Sequence, residues 1–156
     1  MAADIRSLWD RFAPLPGGKR IFSFLLGRIV PYTATIHPRV LELTATGARI
    51  SIADRRGVRN HLRSIHAIAL ANVAELTTGL PLAYAVMPRG RTILLSLTVE
   101  FVKKARGTLT ATSTFVAPSP DIESEIEIPV EVRDAEGDVV VRGRARWRVG
   151  PAQRRP

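Results

Sequence analysis

Between Arg63 and Arg89 a single formally charged side chain, Glu75, interrupts the apolar run within NHLRSIHAIALANVAELTTG, Asn60 to Gly79. A carboxylate in a helix otherwise suited to a protein interior is withdrawn from water. Burial disfavours its ionised form, moves its pKa toward neutrality and suits it to accept a proton as a general base. The same shift accompanies any unpaired buried acid, so a structural carboxylate held by backbone N–H groups or by an arginine across an interface also fits. Three polar residues lie close by in sequence. Asn60 reads as a loop or cap residue or as a participant in the chemistry, and His66 as a core histidine near the helix start or as a substrate contact. Thr78, one turn beyond Glu75, is placed to hydrogen-bond a substrate or a nucleophilic water, or the carbonyls of its own helix.

Other chemistry is poorly supplied. The 156 residues include no cysteine, which removes disulfides, thiolate metal sites and cysteine nucleophiles. His37, His61 and His66 are too few and too scattered for a histidine metal site, so no metal is expected.

The elements that must position these residues follow from periodicity. Ile5, Leu8, Trp9 and Phe12 recur at helical spacing, predicting a short amphipathic helix over Asp4 to Phe12 that Pro14 and Pro16 end. Ile21 to Val30 predicts a second helix, and residues 1–30 are expected to form a helical extension packed on the main body, with adhesion to a membrane surface as the less favoured alternative. From Thr33, TIHPRVLELTAT and ARISIADR read as a hairpin turning at Gly47, with Pro38 placing the first strand at an edge. Ser64 is the expected cap of the central helix, and Gly79 with Pro81 its expected end. After Arg91, Ile93, Leu95, Leu97, Val99 and Phe101 alternate along one strand face, and three more strands are expected to follow as a meander. These elements predict an α+β domain over residues 31–150, an antiparallel sheet wrapped around a central buried helix, with a disordered tail at 151–156.

The net charge of +9 raises the question of an anionic partner. Along the last two strands, however, Glu125, Glu127 and Glu131 fall opposite Arg148, Arg146 and Arg142 if Ala135 to Asp138 form a four-residue loop, and Ile126 then faces Trp147. Arginines matched by acids and lacking interleaved aromatics make a poor nucleic-acid platform, so no nucleic acid is expected. The start of the chain has no secretory pattern, and the Ser64 to Pro88 run contains Asn72, Glu75, Gly79 and Pro81. A cytoplasmic protein without membrane association is expected.

The order of elements, with Asn60, His66 and Glu75 at their spacing, resembles the hotdog-fold acyl-CoA thioesterases, in particular an uncharacterised branch near the phenylacetyl-CoA and 4-hydroxybenzoyl-CoA types. The family pattern has Asn, Gly three later, His-Gly-Gly three after that, and Asp or Glu nine beyond the His. This chain departs from it with Arg63, Ala67 and Ile68 at the glycine positions. VEFVKKARG, Val99 to Gly107, is similar to a family strand that ends in an aromatic, basic residues and glycine. The resemblance spans about residues 33 to 149.

It implies a hotdog fold and a thioesterase in which Glu75 is the general base or nucleophile and the Ala67 backbone N–H, at the helix start, stabilises the oxyanion. Lys103, Lys104 and Arg106 would either grip the phosphates of coenzyme A, present only as part of the substrate, or form a solvated turn. Ala67 and Glu75 sit ~12 Å apart along one helix axis, too far to meet one carbonyl group. The reaction therefore needs two antiparallel copies of the helix, that is, a homodimer or a tetramer built from it. Loss of catalysis, leaving a dimer that only binds an acyl chain or acyl-CoA, is the alternative.

Overall fold

The computed structural model describes residues 5–152. In chain order these form α1 (Ile5–Phe12), α2 (Gly18–Ile29), α3 (Pro31–Ala34), β1 (Arg39–Thr44), β2 (Gly47–Ile52), a 3-10 turn (Arg56–Val58), α4 (Ala67–Val86), β3 (Gly90–Phe101), β4 (Leu109–Thr114), β5 (Ser124–Arg133) and β6 (Val139–Pro151). Six antiparallel strands form one sheet in the order β1-β2-β4-β5-β6-β3, and α4 packs on all six. This is the α+β architecture read from the sequence, a sheet around a central helix, and it is the hotdog fold.

The last four strands are not a meander. β3 pairs with β6 and β4 with β2, so the chain crosses between β3 and β4 and leaves β3 on the outer edge. The simple alternation along β3 also fails. Leu94 faces Trp147 and Ser96 faces Arg146, with Leu95 bulged between them. An extra residue reverses the faces on either side of it. Leu94 and Leu97 therefore both pack inward, and Ile93 is turned out to solvent. The expected β5–β6 pairs form: Glu125, Glu127 and Glu131 face Arg148, Arg146 and Arg142, and Ile126 faces Trp147. The loop is not the expected one. Arg133 rather than Asp134 pairs with Val139, and a register shift between Val132 and Arg133 brings the strands back into the expected pairing.

The ends of the central helix differ from expectation. His66, not Ser64, is the N-cap, its Nδ1 accepting the Ile68 N–H at 3.1 Å. The helix runs through Gly79 and Pro81 to Val86. Pro81 lacks the N–H that would bond the Thr77 carbonyl four residues back. The Ser113 hydroxyl on β4 donates to that carbonyl at 2.6 Å instead, so the orphaned acceptor is satisfied and the helix continues.

The N-terminal helices share the core. Trp9 and Phe22 meet edge to face with ring centroids 4.9 Å apart, and with Leu26 they join the buried cluster of β1, β2 and α4. α2 also covers the β1 edge: Ser23 Oγ accepts the Val40 N–H at 2.9 Å, and the Lys19 ammonium donates to the Leu41 carbonyl at 2.6 Å. At the other terminus Pro151 closes β6 and the Ala152 N–H bonds Arg89, so the expected tail is strand at its first residue and lies beyond the described residues from 153 on.

Candidate functional site

The loop before α4 sets the helix start. Asn60 Oδ1 accepts the N–H groups of Leu62 at 2.9 Å and Ser64 at 3.2 Å, making a tight turn in which Arg63 takes φ 54°. Positive φ is the conformation glycine adopts freely, and Arg63 adopts it against the preference of a side-chain-bearing residue. The His66 N–H then bonds the Val58 carbonyl at 2.8 Å and the Ile65 N–H bonds the Ala105 carbonyl at 2.8 Å, fixing the entry into the helix.

Because His66 Nδ1 accepts a hydrogen bond, the ring carries its proton on Nε2. The neighbouring Ala67 N–H, the first of the helix, has no acceptor among the described residues. A cavity of about 200 Å³ opens at this end, with Tyr32, Arg59, His66, Ile68 and Asn72 in its wall.

Glu75 lies two turns along. Between Ile68 and Gly79 the residues of α4 that are not buried are Ile68, Ala71, Glu75 and Gly79, one stripe along the helix, with Trp147 of β6 lying against its Gly79 end. The Glu75 carboxylate has no hydrogen bond or ion pair among the described residues, and burial alone pushes its pKa above the usual carboxylate range. A Cβ on Gly79 would stand 3.4 Å from Glu75 Oε1 and under 3 Å from the Trp147 ring, so glycine lets the indole reach the helix beside the acid. Trp147 Nε1–H donates to Thr78 Oγ1 at 3.1 Å, and Thr78 donates to the Glu75 carbonyl at 2.9 Å. Thr78 is fully buried and its hydroxyl is occupied within the fold.

Of the three cations in the β3–β4 connection, Lys103 bridges Asp134 and Asp138, both at 2.7 Å, and these carboxylates hold its pKa well above the ordinary lysine value. Lys104 and Arg106 are exposed and flank Ala105, whose carbonyl anchors the loop before His66. The structure thus gathers Asn60, His66, Ala67, Lys104 and Arg106 at one end of α4 and sets Glu75 and Thr78 further along. Sequence reasoning missed Gly79 and Trp147 as parts of the Glu75 surroundings. The signal was present in the alternation along β6, which puts Trp147, opposite Ile126, on the strand face away from the arginines.

Fold and site together define a hotdog-fold protein: one helix swaddled by an antiparallel sheet, an uncapped first N–H, and an unpaired acid on the helix's open stripe. The chain belongs to the family described as domain of unknown function DUF4442, which it matches over residues 18–149. Among solved structures it is similar to a structural-genomics protein at 28% identity, covering 96% of this chain and 100% of that one with a TM-score of 0.81. It is also similar to a Pseudomonas aeruginosa protein of unknown function described as a candidate thioesterase, at 21% identity over 86% of this chain and 95% of that one, TM-score 0.73. A mutant thioesterase of Staphylococcus aureus shares the fold at 15% identity, 78% and 99% coverage and TM-score 0.70. No protein of curated function matches the chain.

Proposed function

We propose that the protein is a homodimeric thioesterase hydrolysing an acyl-CoA or related acyl thioester, with Glu75 as general base or nucleophile. The observation that carries this reading is the Glu75 carboxylate itself: half-buried, without a protein partner, and on the open stripe of the central helix. A structural acid would have a backbone donor or an arginine, and none approaches it among the described residues.

Two features favour pairing of two copies along β3 and α4. The β1 edge of the sheet is covered by Ser23 and Lys19, whereas β3, twelve residues long, lies on the uncovered edge. An exposed edge is a ready template for a second chain. The open stripe of α4 also carries a small residue, Ala71, one turn before Glu75, which lets a second helix approach closely.

In an antiparallel pair the Glu75 carboxylate of one copy faces the helix start of the other. As base, Glu75 takes a proton from water while the resulting hydroxide attacks the thioester carbon. The carbonyl oxygen becomes an oxyanion held by the unpaired Ala67 N–H of the partner subunit, and its collapse breaks the C–S bond and releases the thiol. As nucleophile, Glu75 attacks the carbonyl carbon directly, and the tetrahedral adduct collapses with cleavage of the C–S bond to release the thiolate and leave an acyl anhydride. Water then cleaves the anhydride to the carboxylic acid and free Glu75. Lys104 and Arg106, beside the helix start, would meet the phosphates of coenzyme A. Glu75→Gln should abolish hydrolysis across a panel of acyl-CoA thioesters while leaving ligand affinity nearly unchanged, and undiminished turnover by that variant would overturn the assignment.

A second reading, a dimer that binds an acyl chain or acyl-CoA without cleaving it, is favoured by one observation. Ile68, next to Ala67 and at a family glycine position, carries an exposed side chain that would crowd a thioester brought to the Ala67 N–H. Wild-type protein that binds acyl-CoA but hydrolyses none of the panel would establish it.

A further inference from the structure

The end of the molecule opposite the β3 edge carries, on α2, a surface to which the proposed hydrolysis assigns no role, and it reaches the helix-start cavity only at Tyr32. α2 turns Phe22, Ser23 and Leu26 into the fold and presents Arg20, Ile21, Phe24, Arg28 and Ile29 to solvent. Phe24 is 68% exposed and Tyr32, on the adjoining α3, is 66% exposed. Large apolar side chains grouped on one exposed helix face are uncommon unless they meet something.

The charge around them is one-sided. Between Asp10 and Glu42 the chain has five basic residues and no acid. Arg20, Arg28 and Arg39 make no ion pair among the described residues. The β6 arginines differ: Arg142, Arg144, Arg146 and Arg148 all lie within 4 Å of a glutamate on β5. Arg20, Arg28, Arg39 and Phe24 also border a groove of about 530 Å³ between α2, α3 and the start of β1.

These features select the occupant. A second copy would bring an equally cationic face against this one and be repelled. Nucleic acid would use the arginines and the Phe24 and Tyr32 rings but would leave Ile21 and Ile29 against a polar, phosphate-bearing surface that gives apolar side chains nothing to bury into. An apolar helix face ringed by unpaired guanidinium groups matches an anionic bilayer, with apolar groups at the boundary between headgroups and acyl chains and arginines on the phosphates. We propose that the α2–α3 face docks the protein on an anionic phospholipid surface, with Phe24 and Tyr32 inserted at the headgroup boundary and Arg20, Arg28 and Arg39 on lipid phosphates. No helix among the described residues is long and apolar enough to cross a membrane, so the attachment is peripheral.

The test is co-sedimentation of the full chain with vesicles of phosphatidylcholine alone and of equal parts phosphatidylcholine and phosphatidylglycerol. The protein should pellet with the phosphatidylglycerol vesicles only, and high salt should release it. Arg20→Ala combined with Arg28→Ala should weaken binding about 30-fold, given the contribution of each basic residue at such a surface. Phe24→Ser should weaken it about 10-fold or more. Because these side chains are exposed, the variants should keep the thermal midpoint of the parent. Vesicle binding that ignores phosphatidylglycerol, binding unaffected by these substitutions, no vesicle binding at all, or a preference for duplex DNA over the anionic vesicles would each overturn the proposal.

Discussion

The Trp147 indole occupies the space that a side chain at Gly79 would need. A Cβ there would lie 2.7 Å from ring atom Cη2 and 2.8 Å from Cζ2. With glycine at this position the ring lies against α4 and forms an apolar wall beside the Glu75 carboxylate, while its N–H is directed to Thr78 and offers the acid no hydrogen bond. This one contact joins a bare stretch of helix, an aromatic on β6 and the carboxylate's loss of water.

Gly79→Ala should therefore act through the ring. Overpacking of this kind costs about 1–3 kcal/mol, because the indole must move away from the helix or the helix from the sheet. The helical preference of alanine over glycine, about 1 kcal/mol, works in the opposite direction. A chemical-denaturation midpoint below that of the parent is expected, and a stabilised variant would show that the indole yields freely.

Ionisation of Glu75 links activity and stability in opposite directions. Its folded-state pKa is raised by burial, so in the window between the ordinary value of 4.5 and the raised one the folded state binds more protons than the unfolded state. This contribution to stability is full below the ordinary pKa and is lost as pH rises through the raised pKa. Hydrolysis requires the carboxylate and should increase over the same rise. Glu75→Gln should melt higher than the parent at neutral pH, lose the pH step in stability and lose about 10²–10⁴-fold in turnover. Parallel pH profiles of thermal midpoint and initial rate check both halves.

How much of this was legible beforehand depended on how far apart the partners lie in sequence. The facing of Glu127 with Arg146 and of Ile126 with Trp147 could be read because the two strands are joined by one short hairpin and alternate acids and arginines, whereas the register shift between Val132 and Arg133 next to the loop could not. The continuation of α4 past Pro81 could not, because the hydroxyl that satisfies the Thr77 carbonyl comes from Ser113, thirty-six residues away on a non-neighbouring element. The bulge at Leu95 was hidden for a related reason. Leu94 and Leu95 are equally apolar, and only pairing with β6 decides which of them faces the core. For the site, the carboxylate was evident from its isolation among apolar residues, while its surroundings depended on β6 reaching the helix.

Arg63 offers a test of the loop that orients the helix start. Its φ of 54° costs a non-glycine residue about 1–2 kcal/mol, part of which glycine would return as greater unfolded-state entropy. Arg63→Gly should gain about 0.5–1 kcal/mol, read by thermal denaturation. The side chain is exposed and carries no other structural duty among the described residues. A destabilised variant would contradict this account of the turn.

Ala71, one turn before Glu75 on the open stripe, tests the pairing of helices. An arginine at this half-exposed position can reach solvent in a lone protomer but would meet the partner's helix in the pair. Ala71→Arg should elute at half the parent's mass, keep the far-ultraviolet helix signal and lose hydrolysis as fully as Glu75→Gln. A monomeric variant with parental turnover would remove the need for a second subunit.

The most direct measurement is a crystal structure of the protein with a non-hydrolysable acyl-CoA analogue. Two antiparallel copies of α4 should lie side by side, with the carbonyl mimic within ~3–3.5 Å of both one protomer's Glu75 carboxylate and the Ala67 N–H of the partner subunit. A ligand bound away from Glu75, or a Glu75 carboxylate paired with an arginine in a closed interface, would contradict it.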